Sequence, residues 1–170
     1  KIRVLQGPIF SSDPLRMLRA FRFSATLKFE IDAETLTKIY LHKKKLSESA
    51  PERIWHELTL FFKVSETLPS IKTMYDCGLL DCLFSTSSIV LAKYEKLESL
   101  LNDPINTFPE YADKLNTNAF IDKHYLLKLS VLKYSTQDCK LRISNSESQL
   151  IEQALNGANF LAQVYLKGNP

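Results

Sequence analysis

Apolar positions recur at three- and four-residue spacing along most of this chain and alternate with polar ones only at residues 1–4. The first pattern marks helices with one buried face, and the second marks a short extended segment. Asp13 followed by Pro14 reads as an N-cap and a first helical residue: a carboxylate can accept from a free amide, and Pro lacks the donor that would go unpaired there. The helix so opened is predicted over 14 to about 27, with Leu15, Leu18, Phe21 and Ala25 turned inward. Asp32 is placed at the cap of a second helix, 33 to about 44, with Leu36, Ile39 and Tyr40 as its buried stripe. Ser49 and Glu52 form a capping-box pattern that opens a third helix, through about 63. Further helices are expected at 69–77, closed by Gly78 as a left-handed cap, and at about 87–101, 109–115, 121–133 and 146–166. Ser146 and Gln149 give the last of these a second capping-box pattern, and turn signals across 102–108 mark a candidate subdomain boundary. Four glycines in 170 residues leave little scope for tight hairpins, so the expected class is all-α: a multi-helix bundle with at most a short N-terminal extended segment.

A hydrophobic fraction of 45% over this length is enough to bury a real core. The longest apolar runs, such as 89–92 and 125–127, fall far short of the roughly 20 residues of a membrane helix, so no membrane partner is expected. Residues 1–10 contain no apolar stretch of secretory length, and the chain starts without Met; a cytoplasmic origin (or an organellar one in a eukaryote) and a longer parent chain are expected. Cys77, Cys82 and Cys139 do not fall at zinc-site spacing, and His42, His56 and His124 do not pair at helical spacing, so no metal is expected on these residues. The net charge of +3 is unevenly spread. Residues 1–63 carry 12 Lys or Arg against 7 Asp or Glu, whereas the remainder is slightly acidic. Phosphate of a nucleotide or nucleic acid would be met in the first third.

Candidate chemistry is concentrated in the predicted helix after Asp13, where Arg16, Arg19 and Arg22 follow one another at three-residue intervals. Such a series steps back around a helix by about 60° each time and fans over one side. A guanidinium carries several donors in fixed geometry, suited to base edges, phosphates or carboxylates. Two readings stay open for the residues alone: a functional site, or a salt-bridged face in which the arginines pair with Glu52 or Glu57 and Asp13 is only a cap. Trp55 is similarly open between packing and base stacking, with packing favoured.

The run DPLRMLRAFRFSATLKFEID, the segment Ala50-Pro51-Glu52-Arg53-Ile54-Trp55-His56-Glu57-Leu58, and Gly78-Leu79-Leu80-Asp81-Cys82-Leu83-Phe84 occur in that order. Together they resemble the neck segment of class II tRNA nucleotidyltransferases and bacterial poly(A) polymerases, over about half of the chain. The resemblance implies a head-to-neck connection at 1–12, a neck at 13–66 and a helical, RNA-contacting body at 67–170. It implies that Asp13 and Arg16 read the base of an incoming ATP or CTP by Watson–Crick-like hydrogen bonds. Arg19, Arg22 and Arg53 would orient that pair or meet phosphate. The RNA partner would be a tRNA or another RNA 3′ end. Catalytic carboxylates and their Mg²⁺ would belong to a head domain in cis; no cofactor and no catalytic residue is expected on these 170 residues, which lack the Gly-Ser and Asp-x-Asp signature of that head. Alone the chain should be inactive, and Lys133 and Tyr134 stand where a phosphohydrolase His-Asp pair would fall. A non-catalytic helical RNA-binding or scaffold module derived from the same fold is the alternative. Three positions depart from the family pattern: Ser12 replaces a Glu, Lys28 replaces the Gly of the turn after the Arg-rich helix, and Gly7-Pro8 is one residue shorter than the usual Gly-Asp-Pro.

Overall fold

A computed structural model describes residues 1–84, 88–102 and 124–134, with 145, 148, 149, 151 and 152. Among these, seven α-helices are found: α1 Ile9–Ser12, α2 Leu15–Leu27, α3 Ala33–His42, α4 Pro51–Phe62, α5 Leu68–Asp76, α6 Ser88–Asn102 and α7 His124–Tyr134. Two 3-10 segments, Lys43–Glu48 and Leu80–Cys82, follow α3 and α5. The only β pairing among the described residues is one parallel bridge, Ile2 to Ile31, so the class is all-α with a short extended N-terminus. The Ile2 N–H donates to Glu30 O at 2.8 Å and the Asp32 N–H to Ile2 O at 2.9 Å, which ties that end to the turn before α3. The helices expected at 109–115 and 146–166, the boundary at 102–108, the second capping box and Cys139 lie outside the described residues, apart from isolated positions.

The core explains most of the pattern. Leu15, Leu18, Phe21 and Ala25 are all buried, joined by Met17 and Ala20, and α2 lies against α4 and α5. Trp55, Leu58, Phe61 and Phe62 supply the facing side of α4, so Trp55 is a packing residue. One buried cluster continues from Phe10 through Tyr94 on α6 to Leu126, Leu129 and Leu132 on α7.

Three local expectations are corrected. Ser49 does not cap α4, whose N-cap is Ala50 with no side-chain hydrogen bond. Pro51 prefers the first helical position, which moves the cap one residue past Ser49 and leaves Glu52 out of register for the box. Tyr40 is not in the α3 stripe but 56% exposed, with the Lys43 ammonium 4.1 Å from its ring centroid; Thr35 takes a buried place instead, its hydroxyl accepting from the Val4 amide at 2.9 Å. No side chain caps α2 either: Asp13 has the extended backbone of a cap, but its carboxylate points to guanidinium groups. Asp32, by contrast, accepts from the Glu34 amide as expected.

Two turns show why glycine suits them. Lys28 ends α2 at φ 54°, the one left-handed non-glycine among the described residues, at the position where the family pattern carries Gly. Gly78 ends α5 at φ 66°, and a Cβ there would strike the Lys43 ammonium, which sits over the C-terminal carbonyls of that helix, 3.5 Å from Cys77 O.

Candidate nucleotide and RNA interface

The chain enters α2 through extended Asp13, so its carboxylate emerges at the N-terminal mouth of the helix while the arginines follow on the helix itself. All five residues singled out from the sequence come together. Asp13 Oδ2 lies 3.7 Å from Arg16 Nε and 3.8 Å from Arg19 Nη1, and Asp13 Oδ1 lies 3.9 Å from Arg53 Nη2 on α4. These separations exceed hydrogen-bond length, so the Asp13 oxygens feel three positive charges yet keep their lone pairs unspent. The Asp13 side chain is 23% exposed, against 45% for Arg16 and 60% for Arg53: the group is half-open, neither sealed in the core nor loose on the surface.

Arg19 and Arg22 are held differently. Arg19 Nε donates to Glu57 Oε1 at 2.8 Å and Arg22 Nε to Glu57 Oε2 at 3.1 Å. Glu57 is buried on α4, and each of its oxygens takes one charge-assisted bond, so it clamps two guanidiniums in fixed orientation. Its hydrogen bond strengthens the already high proton affinity of Arg19, offsetting burial, with further help from the charges of Glu57 and Asp13. For Arg19 and Arg22 the salt-bridge reading with Glu57 thus holds, and Glu52 makes no ion pair with them. Arg16 and Arg53 are the members whose donors have no close partner among the described residues. Ser12 stays outside the group: its hydroxyl donates back to Ile9 O at 3.1 Å.

These pairings show that α2 and α4 run in the same direction past one another, since Asp13 meets Arg53 near the start of both and Arg19 and Arg22 meet Glu57 further along both. The sequence offered both Glu52 and Glu57 as partners for the arginines, and the structure selects Glu57, which holds two of them at once. No group of three His, Cys, Asp or Glu residues able to hold a metal ion is found among the described residues.

The family model described as "Probable RNA and SrmB- binding site of polymerase A" matches residues 28–88, from the turn after α2 to the start of α6. A CC-adding tRNA nucleotidyltransferase of Geobacter sulfurreducens is 34% identical over 106 residues, covering 60% of this chain and 25% of the relative. This chain belongs to the tRNA nucleotidyltransferase and poly(A) polymerase family. A second member, a CCA-adding enzyme of Blochmanniella pennsylvanica, is 30% identical over 149 residues, 85% of this chain and 33% of its own length. The chain therefore spans a quarter to a third of the family members it matches. No helix among the described residues is long and apolar enough to cross a membrane.

Proposed function

We propose that this chain is the base-selecting neck and RNA-contacting body of an enzyme that adds nucleotides to RNA 3′ ends, of the CC- or CCA-adding kind its relatives' names carry. Residues 13–66 would form the neck and 67–170 the body, with 1–12 leading in. The observation that carries the reading is the half-open Asp13, ringed at 3.7–3.9 Å by Arg16, Arg19 and Arg53 but hydrogen-bonded to none of them. In a buried structural pair such donors and acceptors would be joined; here they are aligned and unspent.

The chemistry of the pair matches two bases. The Asp13 carboxylate accepts from the exocyclic amine of adenine or cytosine, and the Arg16 guanidinium donates to the neighbouring ring nitrogen. G and U present a carbonyl and a ring N–H instead, so a carboxylate meets an acceptor and a guanidinium meets a donor, leaving both unpaired at a cost of about 1–3 kcal/mol each. Arg19, fixed by Glu57, borders the Asp13 oxygens and steadies the pair, while Arg53 approaches from α4 with donors free for phosphate. Metal-assisted phosphoryl transfer is not routed through these residues; a segment bearing the metal-binding carboxylates would supply it.

The test is selection by the full-length enzyme. Asp13→Ala and Arg16→Ala are expected to erase the preference for ATP and CTP over GTP and UTP, with an unfolding midpoint close to wild type. Unaltered preference in both variants would remove the pair from base selection.

A further inference from the structure

The exposed side of α2 does not end at the arginines. Arg16, Arg19, Phe23 and Leu27 follow one another at i, i+3, i+7 and i+11, the spacing of a single helical face. Burial agrees: Leu15, Met17, Leu18, Ala20, Phe21 and Ala25 form the inner side, while Phe23 and Leu27 are 44% and 52% exposed. A large aromatic turned to water on a helix with a full inner face is not needed for packing. Phe23 is also braced, since the Arg22 guanidinium lies 4.4 Å from its ring centroid and is itself held by buried Glu57 at 3.1 Å. The cation covers one region of the ring, and the clamp keeps it there without loss of side-chain freedom when a ligand arrives.

Resting on the base-reading proposal for Asp13 and Arg16, we infer that this face is a track for single-stranded RNA, with Phe23 stacking one of its bases. Seven residues of helix carry Phe23 about 10.5 Å beyond Arg16. That is about three steps of stacked bases at 3.4 Å each, so a strand whose terminal base lies by the reading pair reaches the ring a few nucleotides back. Arg19 lies between them, 40% exposed; its Nε is committed to Glu57 and its Nη1 stands 3.8 Å from Asp13, which leaves Nη2 for a passing phosphate. Positive charge followed by an exposed ring along one strip is the complement of a charged backbone with stackable bases, and the first 63 residues carry the chain's excess of Lys and Arg.

The experiment uses the 170-residue chain and two probes of eight nucleotides: oligoadenylate, and an oligomer with the same backbone but abasic throughout. Base stacking on an aromatic ring predicts that Phe23→Ala weakens oligoadenylate binding by roughly fivefold to a hundredfold and leaves the weaker abasic binding unchanged. Phe23→Trp should restore oligoadenylate affinity, and its added fluorescence, read against a parent carrying only Trp55, should be quenched by oligoadenylate alone. Circular dichroism and the thermal midpoint establish that each variant is folded. Equal weakening of both probes, or no weakening of either, would overturn the track. So would a rise in protein self-association that depends on Phe23, since the face would then belong to a second copy of the chain. The outcome is separable from that of base reading, because an Asp13→Ala chain should still show the Phe23→Trp quench.

Discussion

Asp13 and Glu98 are both carboxylates met by cations, but they are met in opposite ways. The three guanidinium nitrogens nearest Asp13 stand at 3.7–3.9 Å on a half-open face. Glu98, on α6, is 4% exposed; it accepts from the Lys128 ammonium at 2.8 Å and from the amides of Thr67 and Leu68 at 2.7 Å each. Lys128, fully buried on α7, also donates to Val64 O at 2.9 Å and Ser65 O at 2.6 Å, and the Thr67 hydroxyl completes the group with Glu98 and Tyr94. Glu98 thereby serves as an N-terminal cap for α5 from another helix, and Lys128 fastens the chain where it leaves α4. The buried group that holds the fold together spends its donors and acceptors on protein partners, whereas the Asp13 group makes no contact shorter than 3.7 Å to its cations.

The largest effect that could break this contrast is expected at Lys128. Lys128→Met keeps the length of the side chain but leaves Glu98 charged and without its counter-ion in the core, a change that typically costs about 3–5 kcal/mol. The double variant Lys128→Met, Glu98→Gln removes both charges together and should recover a large part of that loss. Urea unfolding at neutral pH measures both, and a Lys128→Met cost below about 1 kcal/mol would mean that the buried group does not hold the fold.

A smaller effect is expected in acid. Burial alone would raise the pKa of Glu98, but the Lys128 ammonium and the hydroxyl and amide of Thr67 together bring it below the ordinary carboxylate value. A carboxyl depressed by folding adds stability that is complete above its unfolded-state value, about 4.3 for Glu, and is lost as the pH falls through the folded value. The stability gap between wild type and Glu98→Gln should therefore be constant down to about pH 5 and narrow below it. A gap independent of pH would show that Glu98 contributes shape and not charge.

The two groups also differ in how far they could be read from the sequence. Asp13, Arg16, Arg19 and Arg22 were legible because they sit on or beside one helix, where local spacing fixes neighbours, and Arg53, on α4, was singled out because the order of the segments resembles a family's neck. The Glu98 group was not, since Thr67, Glu98 and Lys128 are separated by some 30 residues each and only tertiary packing brings them together. For the same reason the periodic inner face of α2 was predicted correctly and the exposure of Tyr40 was not: periodicity gives a helix two near-equivalent edges, and one contact that chooses between them, the strap from Val4 to Thr35, spans 31 residues of sequence. The left-handed turn at Lys28 shows a third case, in which family comparison flagged a missing Gly and the backbone angle supplies the reason.

The smallest effect on stability, and the sharpest test of the contrast, is expected at Asp13 itself. Asp13→Asn keeps the shape of the side chain and removes its charge. Contacts at 3.7–3.9 Å on a partly solvated face are worth at most about 0.5 kcal/mol each, and screening by salt reduces them further. Loss of the anion leaves Arg16 and Arg53 to repel Arg19, but Arg19 remains neutralised by Glu57 at 2.8 Å, so the repulsion is small as well. The unfolding free energy should thus fall by less than about 1.5 kcal/mol, and by less still in 0.5 M salt. A loss of 2 kcal/mol or more would place Asp13 with Glu98 among the groups that hold the fold, and the unspent lone pairs at the mouth of α2 would no longer mark a place for a base.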